Sequence, residues 1–243
     1  PRGVHLDAAL GTMSTSPLQM ARAYCRFVGS VRHLGLRRGT VQRVLDTPSR
    51  LGFTGGAVAF KLAWAFAKHI EGTDRVSTRF KAFLEDCLSY VAIATLCDVV
   101  PLRDENRIFA RTGLTALARS QNHGLAALRK VAGLDEKPRL GAQDVTFGIG
   151  PRINASGRLG SAKSAVELLL AKDAGEGKRL AAILDEMNLE RRAIEKDVLA
   201  EARIEATKFA DKTAHPILLI AGQGWHQGVV GIIAARLAEE FGR

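Results

Sequence analysis

Cysteine is scarce in this chain of 243 residues. There are three, Cys25, Cys87 and Cys97, and none stands in a CxxC spacing. An odd, scattered set argues against a disulfide framework or a cysteine zinc site, and makes a reducing cytoplasm the expected compartment. Long apolar runs are missing too. None approaches the ~20 residues that cross a bilayer, so no membrane partner is expected. No N-terminal stretch has the order of a signal peptide. The first fifty residues contain no lysine and no glutamate, although the other 193 hold 24 of them. A proportional share would be about six, so the two parts differ in composition.

What is present is an ordinary globular mixture, 47% apolar and 25% charged, which excludes a disordered or collagen-like chain. The length suits one large or two small domains with a buried core. Net charge is +10, and residues 1–50 alone carry eight Arg against two Asp. Such a balance raises the expectation of a polyanionic partner. The chain starts at Pro1 without a methionine and stops at Arg243 inside a helical pattern, so both ends are expected to be cut.

Residues 1–50 show weak periodicity, with one helical candidate from Pro17 to Val31. From Gly55 the pattern sharpens. Val58, Phe60, Leu62, Ala65 and Phe66 read as a buried helix after the Gly55-Gly56 pair. Phe80 to Leu88 is helical, and Tyr90 to Leu96 reads as a buried strand or a buried helical turn. Pro101 ends regular structure. Ile108 to Leu117 and Gly124 to Ala132 read as two short helices. Phe147 to Ala162 is rich in glycine and arginine, and Ser164 to Leu170 is helical. Lys178 to about Asp211 reads as one long helix, with Leu180, Ile183, Leu184, Met187, Ile194, Val198 and Leu199 spaced by threes and fours. At ~1.5 Å per residue it is long enough to join two domains. His215-Pro216 breaks it. Ile217 to Ala221 then reads as a strand, Gly222 to Gly228 as a loop, and Val229 to Phe241 as an amphipathic helix.

Three places could carry chemistry. Asp98 follows an apolar run, either as a ligand-gathering carboxylate or as a solvated cap of the next turn. One carboxylate is not a metal site, because Mg²⁺ or Mn²⁺ wants several oxygen ligands. The stretch Gly150 to Arg158 pairs glycines with guanidinium forks, which suits phosphate, or is a turn-rich connector with solvated arginines. The stretch Gly224 to Gly228 places His226 at a helix start, where a phosphate could meet the helix dipole, and Trp225 where it could stack on a base. The alternative is a turn with Trp225 plugging the core and His226 exposed. His5, His33, His69, His123 and His215 lack metal-like partners and read as surface or capping residues. Cys97 reads as a small core residue.

Three motifs together carry a resemblance: YVAIATLCDVVPLRDENR (Tyr90 to Arg107), FGIGPRINASGRLG (Phe147 to Gly160) and GWHQGVVGIIAARL (Gly224 to Leu237). With GGAVAFKLAWAF (Gly55 to Phe66), they resemble the bacterial RecJ family of single-stranded-DNA-specific exonucleases, in the DHH phosphoesterase superfamily. The resemblance covers about residues 55–243. It implies an α/β fold: the C-terminal part of a DHH domain over 51–176, a long connecting helix over 177–212, and the start of a DHH-associated α/β domain over 213–243. It implies Mn²⁺- or Mg²⁺-dependent 5′→3′ hydrolysis of single-stranded DNA held between the two domains, by two-metal logic. A single-stranded-DNA-binding protein is a further partner it implies. Asp98 matches the last metal-binding aspartate. Arg152, Asn154 and Arg158 match the arginine motif that contacts DNA or its terminal phosphate. His226 matches the catalytic-site histidine near the scissile phosphate, with Trp225 beside it.

The departures from the family pattern matter as much. The Asp-x-Asp and Asp-His-His motifs that supply the other ligands do not occur here: the sequence has no Asp-x-Asp and no His-His pair. They would lie upstream of Gly55, in the lysine- and glutamate-free stretch, so residues 1–50 are expected not to be authentic family sequence. Cys97 stands where the family commonly has Ala. The expectation is therefore an exonuclease by descent with an incomplete metal site and little turnover. Two alternatives stay open: a non-catalytic single-stranded nucleic-acid-binding fragment, and a DHH-family oligonucleotide phosphodiesterase. The long helix argues against the second.

Overall fold

Thr54 opens the first element of the computed structural model, which describes residues 52–98, 100–209 and 217–242. Its hydroxyl accepts the Ala57 N–H (3.2 Å) and caps helix α1 (Gly55–Glu71). Gly72, at φ 63°, closes that helix in the left-handed region. Ser77 caps α2 (Thr78–Cys97). Two acids, Asp104 and Glu105, occupy the first turn of α3 (Asp104–Arg119), where the dipole favours them. Asn122 caps α4 (His123–Val131), accepting the Leu125 N–H at 2.9 Å. A π-helical turn, Asp144–Ile149, runs directly into α5 (Gly150–Leu159), and α6 (Lys163–Leu169) follows. Asp173 caps α7 (Ala174–Thr207) through the Glu176 N–H. His226 caps α8 (Gln227–Phe241).

Three apolar clusters hold these helices. The first joins Leu117, Leu125, Leu128, Val145, Ile149, Ile153 and Leu168 to the first third of α7, through Leu180, Ala181 and Leu184. The second joins Val198, Leu199 and Ala202 of α7 to Val229, Ile233 and Leu237 of α8. The third packs α1 on α2 and α3 through Phe60, Leu84, Val91 and Phe109. At ~1.5 Å per residue α7 is about 50 Å long, enough to serve both of the first two clusters. Between them its face is polar yet shielded: Asn188 and Glu195 are buried.

Several expectations need correcting. Among the described residues there is no strand, so the α/β class is not met there. Of the two readings open for Tyr90 to Leu96, strand or helical turn, the structure shows the helical one, as a continuation of α2. Leu84, Leu88, Val91 and Thr95 recur at four, three and four, and this stripe faces its neighbours, so packing overrides the β-branched composition. Ile217 to Ile220 does alternate: Ile217 and Leu219 are exposed, while Leu218 and Ile220 pack on the second cluster. With no partner strand among the described residues it has no ladder. The glycine-rich stretch from Phe147 is helical for the most part. Its glycines serve close packing: a Cβ on Gly150 would overlap Cys97 Sγ. The long helix starts four residues before Lys178 and ends at Thr207. The unusual segment 1–50, with its candidate helix, lies outside the described residues.

Candidate functional site

The backbone of Asp98 leaves α2 in an extended conformation (φ −101°, ψ 150°), its N–H still bonded to the Ala94 carbonyl. The carboxylate therefore stands, exposed, at the rim where the helix stops. It lines a cleft of about 480 Å³ together with Thr54 and Gly55 at the start of α1, Asn154 and Arg158 of α5, and Gln227 and Gly228 of α8. Four separate elements thus converge on one cavity. Two close approaches fix them. Gly150 lets α5 settle against Cys97, the residue before Asp98. Gly228 lets α8 settle against the backbone of Arg158, where a Cβ would overlap the Arg158 carbonyl.

Arg158 is exposed, and its Nη1 donates to the Gly228 carbonyl at 2.9 Å. That bond sets the plane of the guanidinium and leaves Nε and Nη2 for a ligand. Asn154 lies one helical turn earlier and also lines the cleft. Cys97 contributes a neutral thiol. Burial, with the Asp98 charge adding to it, pushes its pKa up to about 11. It is thus a packing residue of the cleft wall, as its sequence context indicated.

Arg152, expected as a phosphate contact, is turned into the fold in this structure. Its Nε donates to Asp185 of α7 (2.8 Å), Nη1 to the Gly148 carbonyl (2.7 Å), and Nη2 to the Val131 carbonyl (3.1 Å). All three nitrogens are engaged, and Arg152 does not line the cleft. It clamps the π-turn, α4 and α7 together. Trp225 is likewise committed to the fold. Its Nε1 donates to Glu201 of α7 (2.8 Å), and its ring covers Gly222 and packs on the second cluster, so it offers no free stacking platform in this arrangement. His226 caps α8, with Nδ1 accepting the Gly228 N–H (3.0 Å). A neutral ring then carries its proton on Nε2. His226 does not line the cleft, although the next two residues do. His69 and His123 are exposed, as expected.

The sequence reading missed Thr54 and Gln227, both polar residues at helix starts that line the cleft. The capping pattern was the only available signal for either. It also missed Arg191, Arg192 and Arg236. For Arg191 and Arg192 the signal is the gap in the apolar pattern of α7 between Met187 and Ile194, where a helix face turns polar; Arg236 lies on α8 and has no such signal.

Metal ligation can be tested on the donors present. Among the described residues no group of three or more His, Cys, Asp or Glu could hold a metal ion, and Asp98 is the only carboxylate lining the cleft. A hard divalent ion wants several oxygen ligands. The described residues alone therefore do not fit a two-metal centre. No helix among them is long and apolar enough to cross a membrane.

No protein-family model matches the chain. Curated proteins do. The single-stranded-DNA-specific exonuclease RecJ of Bacillus subtilis (strain 168) is 37% identical over 190 residues, 78% of this chain and 22% of that protein. RecJ of Salmonella typhimurium is 40% identical over 206 residues, 83% of this chain and 35% of that protein. Among solved structures, an exonuclease RecJ bound to manganese superposes with a TM-score of 0.65 at 32% identity, over 79% of this chain and 45% of the other. RecJ from Thermus thermophilus in complex with Mn²⁺ gives 0.63 at 31% identity, over 75% and 26%. The chain thus spans about a fifth to a third of the length of these curated relatives. Sequence and fold agree over comparable stretches, and on that agreement the chain belongs to the RecJ family, as a partial length of it.

Proposed function

We propose that this chain is the strand-holding part of a metal-dependent 5′→3′ exonuclease acting on single-stranded DNA, with little turnover of its own. The observation that carries the reading is the convergence of the Asp98 carboxylate with Asn154 and Arg158 on one cleft, from elements distant in sequence. Two RecJ relatives are named single-stranded-DNA-specific exonucleases, and solved RecJ structures hold Mn²⁺ or Mg²⁺. In this reading Asp98 supplies one oxygen ligand to a divalent ion, which would polarise the phosphodiester and activate water. Arg158 binds a phosphate through Nε and Nη2 while Gly228 holds the guanidinium plane. The Asn154 amide donates beside it. His226 stands next to the wall, and Nε2 is its atom left for a phosphate once Nδ1 caps α8. Arg152 acts as a positioning residue, keeping α5 in place for its neighbours.

The test is a 5′-labelled single strand incubated with the chain and Mn²⁺. Expected are salt-dependent retention of the strand and negligible nucleotide release, with retention reduced roughly tenfold by Arg158→Ala, equivalent to one charged contact. Rapid Mn²⁺-dependent release, abolished in Asp98→Ala, would show instead that the chain completes its own metal centre. Failure to retain any single strand would overturn the reading as a whole. A single carboxylate lining the cleft among the described residues favours the non-catalytic binding form of this function over the oligonucleotide phosphodiesterase.

A further inference from the structure

A second groove, of about 710 Å³, lies between α5, α7 and α8. It shares Asn154 and Arg158 with the Asp98 cleft and no other residue. Six cations line it, Arg158, Arg191, Arg192, Lys196, Arg203 and Arg236, against one carboxylate, Glu195. Glu195 is already taken, paired with both Arg191 and Arg236. Arg203 pairs with Glu240 of α8 (2.8 Å). Arg192 and Lys196 are exposed and form no ion pair among the described residues. Burial, together with the charges of Arg192, Arg158 and Arg236, holds the Arg191 pKa below its usual value, against the opposing pull of Glu195. The Nε of Arg191 is buried without a hydrogen-bond partner. The groove is short of negative charge, and an anion entering it would relieve that shortage. At its edge Phe147 is 70% exposed, a large apolar ring with nothing packed over it.

Charge and ring together select among polyanions. A row of cations spanning three turns of one helix suits a chain of phosphates better than a single phosphate, and an exposed aromatic suits a stacked base. We propose that this groove holds the sugar–phosphate backbone of a single strand as it continues out of the Asp98 cleft, with Arg158 as the shared contact at the junction and Phe147 stacked on a base. The proposal rests on the strand-holding function above and adds a path for the strand beyond the cleft.

The experiment measures binding of single-stranded DNA to the full chain across a salt series, with a long oligonucleotide (about 25 nucleotides) and a short one (about 4 nucleotides) that fills only the cleft. The double variant Arg192→Gln/Lys196→Gln removes two exposed, unpaired charges, so the fold is retained. Each phosphate contact on a single strand contributes about 0.7 to the slope of log K against log salt. The double variant should therefore lower the slope for the long strand by about 1.4 and weaken its binding about tenfold at ~0.15 M salt, with the short strand unaffected. Phe147→Ala should weaken the long strand by roughly tenfold with no change in slope. The control, Lys178→Gln/Arg179→Gln, removes the same charge from an exposed part of α7 outside the groove. Equal effects of the double variant and this control would overturn the proposal, because net charge alone would then account for the loss. An equal loss for the short strand, or an unchanged long-strand slope, would also overturn it. In each of these cases the unsubstituted chain still binds DNA and the broader function stands. If the unsubstituted chain binds no strand, both fall together.

Discussion

A methyl group on Gly150 would overlap the Cys97 sulfur. The contact shows what single residues contribute to this site: Gly150 lets α5 reach the end of α2, which sets where Asp98 stands relative to Arg158. Gly150→Ala is expected to destabilise the fold by about 1–3 kcal/mol, the range for an overpacked core. Cys97→Ala in the same chain should recover part of that loss, since it removes the overlap with the sulfur and leaves the Val145 carbonyl at 3.2 Å as the nearest contact of the added methyl. Urea unfolding of the two single variants and the double variant closes the cycle. If the double variant simply sums the two single losses, the Cys97 contact is not the cause. Sequence could not supply this assignment. A glycine needed for a turn and one needed for close packing are the same letter, and four of them among arginines look like a phosphate loop.

At the scale of elements, the same limit applies to Arg152. Residue chemistry says that a guanidinium fork seeks oxygens; it does not say whose. Here the oxygens are Asp185 and two main-chain carbonyls, so the fork joins the π-turn, α4 and α7. Arg152→Ala should cost roughly 1–3 kcal/mol, because it strands a partly buried carboxylate and two carbonyls. Lysine should not restore it, since a point charge cannot serve three acceptors in a plane. Arg158→Ala should do the reverse, lowering strand affinity while shifting the urea midpoint little, because its side chain is exposed. Measuring both variants for midpoint and for strand retention by the folded protein separates the two roles. A large affinity loss with unchanged stability in Arg152→Ala would return Arg152 to the DNA-contact list. Most helices were legible at this scale because their capping residues and apolar spacing are local. Tyr90 to Leu96 was ambiguous for a physical reason: a short run of seven apolar and small residues satisfies a buried strand and a buried helix equally well, and only its neighbours decide.

For the whole molecule, α7 is the member that binds one cluster to the next, and its polar middle is the joint. Glu195 is buried and pairs with Arg191 on its own helix and with Arg236 on α8. Glu195→Ala would leave a buried guanidinium unpaired and cut the ionic tie of α8 to α7. The expected loss is roughly 3 kcal/mol, at the low end for a buried pair because the Arg236 side chain is half exposed. Hydrogen exchange should then show α8 amides opening before those of α4. Uniform loosening of all helices would contradict a joint located at Glu195.

The family resemblance, the identity of Asp98, Asn154 and Arg158 as candidates, the excess of positive charge and the long helix follow from the sequence alone. Each of these depends on residue type and on spacing within a few turns. Tertiary structure decided the rest: which arginine faces the cleft and which clamps the core, that Trp225 belongs to the fold, and that cations from α5, α7 and α8 line one groove. Those outcomes depend on which oxygens and rings lie across the contact. The partners of Arg152 come from three different elements, and no local pattern encodes such a meeting.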